Sequence, residues 1–142
     1  ASLYRHFLNI GEQESIMLKE ELEFVELYVD LLSQRFDNSL KVTFKISEEY
    51  LNRLVIPCSL QVLMENATKH NIVSKDSPLE ILITTEDDHL VVKNNVQPKI
   101  YQNSSTGVGL KNIRGQYLSV FQKDIVIIKS GQTFEVRLPI PD

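Results

Sequence analysis

The sequence predicts an α+β fold, a two-layer sandwich in which a mixed sheet of about five strands carries three main helices on one face. Three observations lead there. Leu40, Val42, Phe44 and Ile46 alternate with Lys41, Thr43, Lys45 and Ser47, the period of a strand buried on one side. Leu18, Leu22, Val25, Val29, Leu32 and Phe36 recur at steps of four and three, one face of a helix about five turns long. Strand patterns after residue 79 come as hairpins, and helical patterns separate them, which fits layers better than a doubly wound parallel sheet.

Taken in order, Leu3, Phe7 and Ile10 have helical spacing until Gly11 breaks the run, as at the tail of a helix. In the next helix Glu20, Glu21 and Glu23 occupy the first turns, where acids complement the helix dipole, and they read as a solvated face. After the strand at 40–46, a short connection through Tyr50 and Leu54 reaches Pro57, a residue suited to opening a helix because it lacks an amide donor. Leu60, Leu63, Met64 and Ala67 then share one side of that helix, and Asn66, Lys69 and His70 share the other. Leu79 to Thr85 and Leu90 to Asn94 form a hairpin around Glu86-Asp87-Asp88, read as a turn of solvated acids with His89 exposed beside it. Residues 95–107 are polar and irregular, a candidate loop that leads into a helix with Leu110, Ile113, Tyr117 and Phe121 on its apolar side. Gly115 inside that helix points to close packing or a kink. A second hairpin follows: Asp124 to Lys129, a Ser130-Gly131 turn, then Phe134, Val136 and Leu138 alternating with polar residues up to Pro139 and Pro141.

The 142 residues make one domain, long enough to bury a core without staples. Apolar residues at 42% and charged residues at 24% describe an ordinary globule. A formal charge of −4 excludes a broad electrostatic footprint for nucleic acid, so any polyanion must be held locally. The one cysteine, Cys58, has no internal disulfide partner and reads as a buried structural thiol in a reducing compartment. No apolar run approaches the roughly 18 residues of a membrane span. The chain opens at Ala1-Ser2-Leu3 without an initiator methionine and without a signal peptide, and reads as a piece of something longer.

The chemistry concentrates in two stretches, Glu65-Asn66-Ala67-Thr68-Lys69-His70 and Thr106-Gly107-Val108-Gly109-Leu110-Lys111-Asn112. Asn66 and His70 are one helical turn apart with Lys69 beside them, so an amide oxygen, an ammonium and an imidazole can converge on one ligand. Magnesium takes only one or two oxygens from a protein when phosphates and waters complete its shell, which makes Asn66 a candidate metal ligand. Lys69 and His70 can then offset phosphate charge. Glu65 lies in the neighbouring sector, placed to orient water or accept a proton. Gly107 and Gly109 permit close backbone approach, and the helix start after them presents unpaired amides to an anion.

The order Ile56-Pro57, Leu60-Gln61, Met64-Glu65-Asn66-Ala67, Lys69-His70 and Gly107-Val108-Gly109-Leu110-Lys111-Asn112-Ile113 resembles the ATP-binding domain of LytS-type sensor histidine kinases, within the GHKL ATPase superfamily. Leu3-Tyr4-Arg5-His6-Phe7-Leu8, Leu18-Lys19-Glu20-Glu21-Leu22 and Arg35-Phe36 match the segment that joins the phosphoacceptor region to that domain, so the resemblance covers nearly the whole chain. It implies the Bergerat sandwich, with residues 1–37 as the end of the joining segment and 38–142 as the catalytic domain. It implies ATP and magnesium as cofactors, Asn66 on the metal, Lys69 and His70 at the phosphates, and Thr106, Gly107, Val108, Gly109 and Leu110 around the nucleotide. It implies a lid at residues 96–106. The implied partners are a phosphoacceptor histidine of the same protein, a response regulator and a second copy in the full-length homodimer, with the domain on the cytoplasmic side of an inner-membrane-anchored bacterial protein.

Two departures from the family pattern stand in the sequence. Where the family has an Asp-x-Gly-x-Gly box whose carboxylate takes the adenine amino group, this chain has Lys93-Asn94-Asn95-Val96-Gln97-Pro98, so the amide oxygen of Asn94 or Asn95 replaces it. Asn71 stands where the family often has Gly, as a residue that tolerates the left-handed end of a helix. No Asn-Pro-His-Phe motif is present, and His6 reads as an ordinary helix histidine and not as the phosphoacceptor. Two alternatives keep the fold: a degenerate domain serving as an interaction module, and a GHKL ATPase with Glu65 as general base.

Overall fold

The computed structural model describes residues 14–99 and 107–142. The sequence readings on Leu3 to Gly11, on His6 and on 100–106, Thr106 included, lie outside the described residues.

The elements are β1 (Ile16–Met17), α1 (Leu18–Arg35), β2 (Leu40–Lys45), a 3-10 turn (Glu48–Tyr50), β3 (Leu54–Val55), α2 (Ser59–His70), β4 (Leu79–Glu86), β5 (His89–Asn95), α3 (Val108–Phe121), β6 (Val126–Lys129) and β7 (Thr133–Pro139). Five strands form one mixed sheet in the order β2-β4-β5-β7-β6. Only the β2–β4 pair is parallel, as the crossover through α2 requires, and the other pairs are antiparallel. The fold class is therefore the α+β sandwich that the sequence predicts.

The hairpin between β4 and β5 turns on two residues, Asp87 and Asp88, both at positive φ (50° and 58°). That is the twist a two-residue hairpin needs, and aspartate tolerates it better than most side chains. The acids there are not all free in water: Asp88 pairs with Arg53 at 2.7 Å, and its amide donates to the Tyr50 hydroxyl at 3.2 Å.

Period-two alternation gives the sheet one helix-facing side, with Leu79, Ile81 and Ile83 of β4, Leu90 and Val92 of β5, and Val136 and Leu138 of β7 buried there. Phe24 and Val25 of α1, Leu60 and Met64 of α2, and Ile113 and Tyr117 of α3 cover it. Burying a side chain of this kind stabilises by about 1.5–3 kcal/mol, so this shared layer holds the three helices to the sheet.

Several local readings change. Glu21 does not lie on a solvated face; it is wholly buried and accepts hydrogen bonds from the amides of Cys58 at 2.9 Å and Leu60 at 3.0 Å. Helix α2 begins after Pro57 at Ser59, with Cys58 before it in the left-handed conformation (φ 65°). The free Cys58 thiol is half-buried, and burial first, then the Glu21 and Glu65 charges, push its pKa up to about 11, which suits an unreactive thiol. The connection after β2 contains β3, paired antiparallel with β1. A Cβ on Gly115 would meet nothing within 4 Å, so neither close packing nor contact explains that glycine. Asn71 is extended (φ −124°, ψ 153°), not left-handed.

Candidate functional site

Helix α2 buries Leu60, Leu63, Met64 and Ala67 along one side, which leaves Asn66, Lys69 and His70 outside the core. Its last turn is fastened by Asn71, which is buried, donates from Nδ2 to the Ala67 carbonyl at 2.9 Å and accepts at Oδ1 from the Gln97 amide at 2.7 Å. The end of α2 is thereby tied to the chain leaving β5, and the Gln97 side chain adds hydrogen bonds to the carbonyls of Ile72 and Ser77, each 2.9 Å.

A cavity of about 450 Å³ opens between this end of α2, the start of α3 and the sheet. Asn66, His70, Asn94, Gly107 and Leu110 all line it. A smaller recess of about 170 Å³ adjoins it, lined by Glu65, Asn66, Lys69, Gly107, Val108 and Gly109. Asn66, Gly107 and Leu110 border both, so the two form one continuous site with Asn66 between an inner and an outer part.

Gly107 caps α3 at φ +67°, where glycine carries no steric cost, and its carbonyl accepts from the Lys111 amide at 3.0 Å. The first turn of α3 therefore aims its amides at the recess, as helix starts do. Gly109 serves a different purpose from the one its spacing suggests. A Cβ there would sit 2.9 Å from Val62 Cγ1, so the missing side chain lets α3 lie against α2.

Asn94 and Asn95 are separated by the pleat. Asn94 faces the helices, is buried and lines the cavity, and its Nδ2 donates to the Asn95 carbonyl at 2.7 Å. Asn95 faces the other side of the sheet, where Oδ1 accepts from the Glu80 amide at 2.8 Å and Nδ2 reaches the Pro78 carbonyl at 3.4 Å. The structure does not bring Asn95 to the cavity.

Burial, then the positive charges of Lys69 and Lys99, lowers the pKa of His70 below its usual 6.5. At neutral pH it enters the site as a neutral imidazole, and the exposed Lys69 supplies the positive charge. The Glu65 carboxylate accepts from Gln61 Nε2 at 3.2 Å; burial first, then the Glu65 charge, raises the pKa of the half-buried Tyr28 hydroxyl on α1. Among the described residues no three His, Cys, Asp or Glu side chains gather into a metal cluster. A cation held beside Asn66 must therefore draw most of its oxygens from phosphate and water, which is how magnesium is usually held with nucleotides.

The β6–β7 hairpin contributes a wall that the sequence does not reveal. Ile127 and Phe134 give it apolar surface, and Lys129, Ser130 and Thr133 line its rim. The alternation of β7 marks Phe134 as inward, but that β7 lies next to β5 is a long-range pairing with no local signal.

No family model matches the chain. The sensor histidine kinase/phosphatase LytS of Staphylococcus aureus is 26% identical over 96% of this chain and 27% of its own length. The sensor protein LytS of Bacillus cereus is 29% identical over 87% of this chain and 24% of its own length. The chain thus spans about a quarter of the length of the curated relatives it matches. Among solved structures, a nucleotide-free form of the catalytic domain of histidine kinase ThkA aligns with a TM-score of 0.63 at 19% identity, over 89% of this chain and 96% of that one. The cytoplasmic segment of histidine kinase QseC gives 0.63 at 14% identity, over 90% and 77%. Over most of its length the chain is homologous to LytS sensor histidine kinases, and its fold is that of histidine kinase catalytic domains.

Proposed function

We propose that this chain is the ATP-binding catalytic part of a sensor histidine kinase, which places the γ-phosphoryl of Mg-ATP for transfer to a histidine elsewhere in the protein and onward to a response regulator. The observation that carries the reading is the convergence of Asn66, His70, Asn94, Gly107 and Leu110 on one cavity from three separate elements. In this reading residues 1–37 join the phosphoacceptor region to the catalytic domain at 38–142, and the full-length protein is a membrane-anchored homodimer with this part in the cytoplasm. Among the described residues no helix is long and apolar enough to cross a membrane.

Each side chain has a role that follows from its chemistry. Asn94 Oδ1 accepts from the amino group of adenine, an orientation that keeps the Nδ2 hydrogen bond to the Asn95 carbonyl. Ile127, Phe134, Val96 and Leu110 supply apolar surface to the base. Asn66 offers its amide oxygen to the metal, Lys69 neutralises phosphate charge, and His70 donates a hydrogen bond. The α3 amides that follow Gly107 hold phosphate oxygens. Asn66 would hold magnesium together with phosphate and water oxygens, and the ion would supply positive charge to the phosphates. The protein's share of catalysis is positioning and electrostatics. Glu65, which accepts from Gln61 Nε2 and lies beside Tyr28, orients water at the phosphates in this reading.

Calorimetry tests this. Mg-ATP is expected to bind one per chain, and Asn66→Ala is expected to abolish the magnesium dependence while the circular dichroism spectrum stays unchanged. No heat at millimolar Mg-ATP would sink the reading and leave the interaction-module alternative.

A further inference from the structure

The polar knot at the far end of α2 from the cavity is built from all three helices. Glu21 of α1 is wholly buried, and its two carboxylate oxygens take the amides of Cys58 and Leu60, so it grips the first turn of α2 with both atoms. Ser59 Oγ donates to the Ile56 carbonyl at 2.7 Å and lies 3.2 Å from the Tyr117 hydroxyl of α3, which accepts from the Ile56 amide at 3.4 Å. Cys58 is held at positive φ, a conformation that costs a side-chain-bearing residue energy and that turns its amide toward Glu21. Two turns along α1 from Glu21, Tyr28 faces Glu65 beside the recess. One face of α1 therefore touches α2 at its start and again next to Asn66.

We propose that Glu21 is a positioning residue for the nucleotide site: it is the joint through which α1 fixes where α2 carries Asn66 and His70. The proposal rests on the functional reading above for its consequence and on the knot's geometry for its mechanism. A helix is stiff, so a change of grip at its first turn is carried to its last, roughly 17 Å away for the twelve residues of α2. The carboxylate accepts from the two amides through two separate oxygens; a carboxamide presents one acceptor oxygen and sets a donor against the other amide. The knot's other titratable members, the Cys58 thiol and the Tyr117 hydroxyl, have raised pKa values and stay neutral near pH 7, and Glu65 acts on it only through Cys58. The hydrogen bonds to Glu21 come from backbone amides, and its pKa is raised by burial to about 7, so the substitution Glu21→Gln imitates its protonated form.

The experiment compares the wild type with Glu21→Gln at pH 6 and pH 8, on either side of the Glu21 pKa of about 7. At pH 8 the substitution is expected to move the Asn66 and Gly109 amide signals in the NMR spectrum and to weaken Mg-ATP binding on the order of tenfold. At pH 6 the two proteins are expected to converge. Unmoved Asn66 and Gly109 signals at pH 8, or a difference of equal size at both pH values, would overturn the proposal. If the variant does not fold, the wild type alone decides: the Asn66 signal must contain a component with the midpoint of the Glu21 carboxyl carbon, apart from that of the His70 ring, and its lack overturns the proposal. These signals need no nucleotide, so they judge Glu21 even where the wild type binds no Mg-ATP, the outcome that sinks the functional reading instead.

Discussion

Asn94 shows how a single amide can stand in for a carboxylate. Its Nδ2 is committed to the Asn95 carbonyl, so the side chain cannot turn over to present a donor without losing a 2.7 Å hydrogen bond. In the proposed arrangement Oδ1 meets the base, which suits one with an exocyclic amino group and opposes one with a carbonyl in its place. Asn94→Ala is expected to weaken ATP binding by about 1 kcal/mol, roughly fivefold, and to leave ITP binding unchanged. Calorimetry with both nucleotides checks it, and equal losses for ATP and ITP would remove the base-reading role. The same residue marks how far side chains can be placed from sequence. Leu90, Val92 and Asn94 share one face of β5 by simple alternation, so the choice of Asn94 over Asn95 was available in the sequence once the inward face was known. Glu21 was not legible in that way. A glutamate in the first turn of an amphipathic helix resembles its solvated neighbours Glu20 and Glu23, and only the approach of α2 reveals that it is buried.

Among the elements, α2 and α3 define the site, and Gly109 sets their spacing. Adding a methyl group there places it 2.9 Å from Val62 Cγ1, a stiff β-branched side chain with little room to yield. Gly109→Ala is expected to destabilise by about 1–3 kcal/mol through overpacking, and to weaken Mg-ATP binding because the α3 amides move away from Asn66. In a Val62→Ala background the same change should cost less than half as much, which a double-mutant cycle by urea unfolding measures. Equal costs in both backgrounds would show that the contact does not set the spacing. The helices and the strands β2, β4, β5 and β7 were legible because six or more strand residues or three helical turns leave a clear period. The β1–β3 pair was not, since two residues in each strand have no period at all. The polar sector of α2 was legible from spacing, whereas the wall given by the β6–β7 hairpin depends on strand order, which only long-range pairing decides.

For the whole molecule, the knot around Glu21 should set a pH dependence of stability that runs against the usual expectation for a carboxylate at a helix start. Burial outweighs the amide hydrogen bonds, so the folded-state pKa rises from 4.5 to about 7. A raised pKa means that the native state holds the proton more tightly than the unfolded chain. The associated stability is therefore complete below about pH 4.5 and is lost as pH rises through about 7, a loss on the order of 3 kcal/mol. His70 acts in the opposite direction: its pKa is lowered, so its unfavourable protonation weakens the native state on the acid side of the same window. The absolute slope mixes the two, and the difference between wild type and Glu21→Gln isolates the first. Urea unfolding between pH 5 and 8 is expected to find the variant close to the wild type at the acid end and more stable than it at pH 8. Packing alone would then favour an amide at this position under neutral and basic conditions, while the grip on two amides of α2 requires the carboxylate. Greater stability together with weaker Mg-ATP binding in one variant is the signature of a residue that trades folding energy for placement of the site. A variant that loses both together would make Glu21 an ordinary structural cap.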